Sequence, residues 1–391
     1  MKGLVVPEKT EDYTADPVEL FFDLAFVFAF SQIVHMLVVH PDWEHVAKAG
    51  LIFLLIWLPW TQFTWAANAV PGNQRSVRFG FLVATAATVP MGAAVETAFD
   101  GSGLLFVLPL AVIYLMALSV MLVGIETGTP EHHSVLRYFQ PSLIAMIVLV
   151  FGGFLQDEWR VGAWVLAILI VIWATITMSE GELLLRPGHF AERHALIIIV
   201  ALGEVIVALG RAVAEPLSAS EGFSAEIVVA LVATGVAAGM LWWSYFDRVQ
   251  PALEHRAEEL QGQERGWFFR DAYTYTHALI VAGIILIAVG FENAAVHPTE
   301  PVPLAYRAIL FGGIGLFVLG ITVAAYRAFH AVATERLSVL AVIGAVLFAG
   351  GSIDAVWLIV IIDVIGIAGL AAEHYRIGMR PSDSKIHHNH A

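Results

Sequence analysis

From about residue 18 to about residue 375 the chain is a succession of apolar runs separated by short polar interruptions. Each run approaches the roughly 20 residues that an α-helix needs to cross a bilayer. Reading the interruptions as loops predicts about twelve spans, at 18–39, 47–70, 77–98, 102–124, 137–155, 160–181, 193–211, 225–246, 271–291, 304–327, 336–351 and 354–375. The eleventh, "LSVLAVIGAVLFAGG", is short and glycine-rich, and either tilts or re-enters without crossing. The pattern therefore predicts an all-α polytopic membrane protein.

Alternating the loops between two sides sorts the basic residues. Of the 20 lysines and arginines, all but Lys48, Arg160, Arg211 and Arg307 fall on one side, as expected of a cytoplasmic face carrying both termini. The halves also resemble each other. "RYFQPSLIAMIVLVFGGF" (137–154) and "RLSVLAVIGAVLFAGG" (336–351) each begin with arginine and reach paired glycines, and "PWTQFTWAANAV" (59–70) matches "LWWSYFDRV" (241–249) in its aromatic character. Laying "ELFFDLAFVFAFSQI" over "ERHALIIIVALGEVI" pairs Glu19 with Glu192 and Ser31 with Glu204. A parallel duplication of six-helix units follows as the expectation, with halves at 1–186 and 187–391. The loop at 247–271 reads as a cytoplasmic, partly amphipathic connector.

Composition agrees with this reading. Of the 391 residues 59% are hydrophobic and only 14% charged, and the mean hydropathy is +0.77, outside the range of soluble domains. The absence of cysteine removes disulfides, iron–sulfur clusters and thiolate chemistry. A formal charge of −14 argues against nucleic acid as a partner and leaves membrane lipid and a small solute or lipid of unspecified identity. The polar, acidic start of the chain predicts no signal peptide. The oligomeric state is not legible.

Ionisable groups inside the spans are few, and each costs on the order of 2.5–3.5 kcal/mol at mid-membrane by insertion scales unless it is paired, hydrated or functional. Glu19 and Asp23 stand one turn apart on one helical face, with Ser31, Gln32 and His35 deeper along the same helix. Glu19 alone also suits a helix N-terminus, where an acid complements the dipole. Glu204 lies mid-span between Gly203 and Gly210, where it either takes part in a proton or substrate pathway or simply hydrogen-bonds a neighbouring helix. Asp363 is central in the last span, and His277 lies about two turns into the ninth. In span two, Gln62 and Asn68 accompany Trp57, Trp60 and Trp65, partly an aromatic belt and partly a polar lining. Glu192, Arg193 and His194 mark the cytoplasmic edge of span seven. Asp23, Glu204, His277, Asp363, Gln32 and Gln62 are thus candidates for a substrate or proton pathway, and Glu19, Glu192 and Arg193 for a cytoplasmic gate or clamp. None of the four lysines, Lys2, Lys9, Lys48 and Lys385, lies mid-span, which excludes a Schiff base of the rhodopsin kind. No nucleotide-binding loop, zinc-protease motif or serine-hydrolase elbow occurs. The clusters His132/His133 and His387/His388/His390 read as loop polarity, so no metal, cofactor or catalytic residue is expected.

The motifs "VELFFDLAFVFAFSQI", "HFAERHALIIIVALGEVIVALG", "LWWSYFD" and "YTYTHALIVAG", in this order, resemble those of the bacterial low temperature requirement A (LtrA) family. The resemblance implies a polytopic membrane protein connected with growth at low temperature. It marks Glu19, Asp23, Glu192, Arg193, Glu204 and His277 as important without supplying a mechanism, and Asp363 stands outside its motifs. The leading expectation is a transporter-like protein of the cytoplasmic membrane, with proton coupling open. The alternative is an integral membrane enzyme acting on a lipid or isoprenoid at the cytoplasmic face.

Overall fold

In a computed structural model of the chain, the residues described are 15–69, 74–123, 127–178, 186–218, 224–330, 332 and 334–378. Among them the helices are α1 (Pro17–Val39), α2 (Trp43–Ala69), α3 (Arg75–Ala93), α4 (Leu104–Val123), α5 (Pro130–Phe154), α6 (Asp157–Met178), α7 (Pro187–Ser218) and α8 (Ala225–Phe246). Then follow α9 (Val249–Glu259), α10 (Gly262–Phe268), α11 (Thr276–Val296), α12 (Leu304–Phe329), α13 (Thr334–Ala349) and α14 (Ala355–Gly378). Extended pairing among these residues is limited to a bridge between Pro301 and Asp354. Lys2, Lys9, Arg380, Lys385 and the carboxy-terminal histidines lie outside the described residues.

Among the described residues, eleven helical stretches are long and apolar enough to cross a membrane. The chain turns its apolar side chains outward and its acids inward. On α1, Phe21 and Leu24 are 51% and 59% exposed, whereas Glu19 and Asp23 are each 1% exposed. In water that distribution would be unfavourable; in lipid it is the stable one. Helix starts are capped locally: Asp16 accepts from the Val18 N–H ahead of α1, and Ser224 from the Ile227 N–H ahead of α8.

α13, the predicted eleventh span, has only 16 residues. It nevertheless runs between the two ends of α14. Arg336 at its start pairs with Glu373 near the end of α14 at 3.0 Å. Beyond its other end, the Ala355 N–H opening α14 donates to the Glu300 carbonyl of the α11–α12 loop at 2.9 Å. The ends of α13 thus lie near the two ends of α14, although its 16 residues rise only about 24 Å.

The connector differs from the single amphipathic stretch expected at 247–271. It comprises α9, whose Val249, Leu253 and Ala257 are buried, and α10, which runs without a break through a π-helical segment, Phe269–Tyr275, into α11. The burial of Phe268, Phe269 and Tyr273 places the last turns of that stretch inside the bundle, so the ninth span begins within the connector.

Packing order repeats along the chain. α1 packs on α3 as α7 packs on α11; α3 on α4 as α11 on α12; α5 on α6 as α13 on α14; and α2 on α6 as α8 on α14. Several pairings depart from this scheme: α2 lies along α4, while α8 makes no comparable contact with α12, and α11 packs on α8 and α14, while α3 makes no comparable contact with α2 or α6. α11 and α12 approach closely on glycine, since a Cβ on Gly283 would stand 2.6 Å from the Phe317 nitrogen and one on Gly313 2.8 Å from the Gly283 oxygen.

Candidate functional site

α1 and α7 meet along their length, and from Glu19 onward their contacts advance in step. The Ala15 N–H donates to Glu192 Oε2 at 2.8 Å, His189 Nε2 lies 3.1 Å from Glu19 Oε2, Arg193 Nη1 donates to Asp23 Oδ2 at 2.8 Å, and Ser31 Oγ donates to Glu204 Oε2 at 2.5 Å. Equal progress along both chains means that the helices are parallel, so the five helices between them return the chain to the face where α1 began. Because Glu19 and Asp23 are one turn apart on α1, and His189 and Arg193 one turn apart on α7, the two pairs confront each other across the seam.

Arg193 is the centre of this cluster. Nη1 and Nη2 grip Asp23 in a fork at 2.8 Å each, and Nε stands 3.4 Å from Glu19 Oε2 without hydrogen-bond geometry. The Trp60 indole of α2 donates to Asp23 Oδ1 at 2.8 Å, and the same ring carries the guanidinium 5.9 Å from its centroid. Glu19, Asp23, His189 and Arg193 are all buried. One guanidinium faces two carboxylates, so the cluster is neutral only when one further proton resides on His189 or on a carboxyl group. His189 Nδ1 is buried without a hydrogen-bond partner among the described residues.

Beyond Trp60 the cluster continues into a column of imidazoles and phenols. The His194 ring lies 5.3 Å from Trp60, 4.9 Å from His277 and 5.2 Å from Tyr273, centroid to centroid. His194 Nδ1 donates to the Phe190 carbonyl at 2.9 Å, leaving Nε2 as a buried acceptor; neither Nε2 nor the Tyr273 hydroxyl has a hydrogen-bond partner among the described residues. His277 Nε2 meets the Tyr245 hydroxyl of α8 at 2.7 Å. The π-helical segment shapes this end of the site. Its widened turn frees the Thr274 carbonyl and hydroxyl, which accept from the indoles of Trp57 at 3.0 Å and Trp65 at 3.1 Å.

Of the residues singled out in the sequence, Glu19, Asp23, Arg193 and His277 fall into this one assembly. Glu192 holds the backbone that enters α1, and Glu204 joins α7 to α1 deeper in the bundle, about 16 Å beyond Arg193 at 1.5 Å per residue. Gln62 is turned elsewhere: its amide donates to the Tyr138 hydroxyl of α5, and Oε1 is buried without a partner among the described residues. Gln32 is half-buried at the margin of α1's inner face. Asp363 is buried on α14, with Oδ1 lacking a hydrogen-bond partner among the described residues.

Sequence reasoning passed over several participants. His189 was legible as the residue one turn before Arg193, the counterpart of Glu19 before Asp23. Trp60 read as partly belt and partly polar lining, and Tyr245 and Tyr273 were given no role, because side-chain polarity alone does not tell a belt from a buried donor. Arg186 also went unrecognised: its guanidinium donates to the Asn68 and Ala67 carbonyls at 2.8 and 2.6 Å, and its N–H to Asn68 Oδ1 at 2.7 Å, closing the open carbonyl end of α2 with the residue that precedes α7.

At the opposite face, a pocket of about 290 Å³ is lined by His35, His40, His45, Lys48, Glu96 and Asp100. There the His45 N–H donates to Asp42 at 2.9 Å, which together with the imidazole holds the Asp42 carboxyl below its ordinary range. No set of three or more histidine or acidic side chains among the described residues has the geometry to hold a metal ion.

The helices, the outward apolar surface and the buried ionic seam define an integral, multi-pass membrane protein. Residues 14–371 match the model of the bacterial low temperature requirement A protein (LtrA), and the chain belongs to that family. It is also similar to an uncharacterized protein of Rhizobium meliloti (strain 1021), 29% identical over 325 residues, covering 80% of this chain and 77% of that protein. No solved structure matches the chain.

Proposed function

We propose that the protein is a proton-coupled transporter whose pathway follows the seam between two six-helix halves, residues 1–186 and 187–391. The observation that carries this reading is the charge balance of the Glu19–Asp23–His189–Arg193 cluster. A dry site made of one guanidinium and two carboxylates has a built-in place for one exchangeable proton. The parallel contact of α1 with α7, with the overlaid positions Ser31 and Glu204 touching, supports a pseudo-twofold axis along the membrane normal, the arrangement of parallel-repeat transporters. Movement of one half against the other would separate Asp23 from Arg193 and Ser31 from Glu204, so protonation and opening are coupled through the same bonds. In this reading the face bearing the start of α1 lies in the cytoplasm of a bacterial cell, and the His194–Tyr273–His277–Tyr245 column extends the proton's route away from the cluster.

The test is purified protein in liposomes containing a pH-sensitive dye, screened against pools of small solutes and compared with Glu204→Gln. Solute-dependent proton movement that the substitution abolishes supports the reading. Folded protein that moves no proton with any pool overturns it in favour of an enzyme acting on a lipid or isoprenoid at the face where the cluster lies.

A further inference from the structure

At the face opposite the Glu19–Arg193 cluster, the end of α1, the start of α2 and the loop between α3 and α4 enclose the pocket of about 290 Å³. That volume equals roughly ten water molecules, so it fits a solute of about that many non-hydrogen atoms rather than a drug-sized ligand. Its walls are fixed from behind. The buried Arg160 guanidinium donates to the Ala98 and Gly101 carbonyls at 2.9 and 2.5 Å, and the Asp100 N–H donates to the Thr97 carbonyl at 3.0 Å. Those bonds hold the loop that carries Glu96, Phe99 and Asp100. On the other side Asp42 accepts from the His45 N–H at 2.9 Å and meets its imidazole at 2.8 Å, and the His45 ring stacks on His40 with centroids 4.5 Å apart. A site held in this way gives up little freedom when a ligand enters.

The polar groups of the pocket are accessible, and they carry both signs on different elements. The Glu96 and Lys48 side chains are 41% and 26% exposed. Glu96 Oε1 lies 3.5 Å from His35 Nε2 of α1, and Asp100 lines the pocket from the same loop as Glu96. The cation belongs to α2: Lys48 Nζ stands 5.5 Å from the Phe99 centroid and 2.7 Å from Glu44 Oε1. Glu44 is outside the pocket and points to solvent, so its bond to Lys48 is an exposed i,i+4 pair. Such a pair is weak enough to exchange for a carboxylate inside the pocket. His45, one turn before Lys48, adds an imidazole to the same wall.

We propose that this pocket binds a small zwitterion of the neutral amino-acid type, its carboxylate on Lys48 and its ammonium on Glu96 and Asp100. A ligand of one sign would leave the groups of the other sign partly desolvated and unpaired, whereas a molecule carrying both satisfies the two walls together. Met36 and Phe99 supply apolar surface for its carbon skeleton. The proposal concerns binding at this face and does not rest on the transport reading.

The experiment is isothermal titration calorimetry of full-length protein in detergent with the neutral L-amino acids one at a time, and with putrescine and succinate, which carry ammonium or carboxylate groups alone. The expected result is one site per chain for at least one amino acid, bound about tenfold or more tightly than putrescine or succinate. Lys48→Gln and Glu96→Gln should each weaken that binding by about tenfold, the scale of one lost charge-assisted contact. Glu44→Gln frees Lys48 from outside the pocket and should leave binding unchanged or stronger, whereas a purely structural Lys48–Glu44 pair would make it as damaging as Lys48→Gln. Binding of no amino acid, equal binding of putrescine or succinate, unchanged binding in either pocket variant, or a loss in Glu44→Gln matching that in Lys48→Gln overturns the proposal.

Discussion

Arg193 meets two carboxylates at a depth where neither side can be left alone. Removing one member of a buried pair strands the other, at about 3–5 kcal/mol. Arg193→Ala and Asp23→Ala should therefore each destabilise far more than an exposed charge deletion such as Glu44→Ala, whose partner Lys48 reaches solvent. Thermal unfolding in detergent, followed by size-exclusion recovery, reads the difference; equal melting of the buried and exposed variants would contradict it. Trp60→Phe keeps an aromatic face but removes the indole donor, for roughly 1–3 kcal/mol, together with part of a buried bicyclic ring, whose cavity adds to that loss. At this scale the sequence was legible where charge stood in an apolar run. Asp23 announces itself because few alternatives justify an ion there, whereas Arg193 read as the edge of its span, and Trp60 and Tyr273 carry their polarity on one atom of a large apolar body.

Among the elements, α11 and α12 form the tightest pair, and their glycines are not equivalent. A methyl on Gly313 would meet the Gly283 oxygen and the Ile287 nitrogen, both at 2.8 Å, while one on Gly312 meets nothing within 4 Å. Gly313→Ala should separate the helices and cost about 1–3 kcal/mol, as overpacking does, whereas Gly312→Ala should be neutral or stabilising through helix propensity. Comparing the two melting temperatures checks the assignment, and a shift in Gly312→Ala equal to that in Gly313→Ala would refute it. The π-helical segment makes a second claim. Deleting one residue within Phe269–Tyr275 restores α-helical register and rotates α9 and α10 by about 100° relative to α11. Thr274 would then leave Trp57 and Trp65, a loss that tryptophan fluorescence should register. Spans are readable because hydropathy sums over many residues; the π turn is not, because one inserted residue leaves hydropathy unchanged.

For the whole molecule, the parallel run of α1 and α7 fixes an even number of crossings between their starts. Since the chain contains no cysteine, any introduced thiol is unique. Lys48→Cys, on the α2 end that follows the α1–α2 turn, and Gln261→Cys, between α9 and α10, should lie on opposite sides of the membrane. In intact cells a membrane-impermeant maleimide should label the first and reach the second only after permeabilisation; the reverse pattern would invert the orientation, and equal labelling would break the span count. The seam depends on offsets that the overlay of the two sequence segments does not supply. That overlay sets Glu19 against Glu192, whereas in the folded chain Glu19 faces His189 and Arg193.

The Asp23–Arg193 fork joins residues 170 positions apart. At ribosomal rates of about 5–20 residues per second, the acid enters the membrane roughly 10–30 s before its cation is made. During that interval the first six helices hold two carboxylates meant for a helix that does not yet exist. Completion of the first half is thus a posttranslocational event for the second, and an amino-terminal fragment made alone should be a substrate for membrane proteolysis until the carboxy-terminal fragment is supplied beside it.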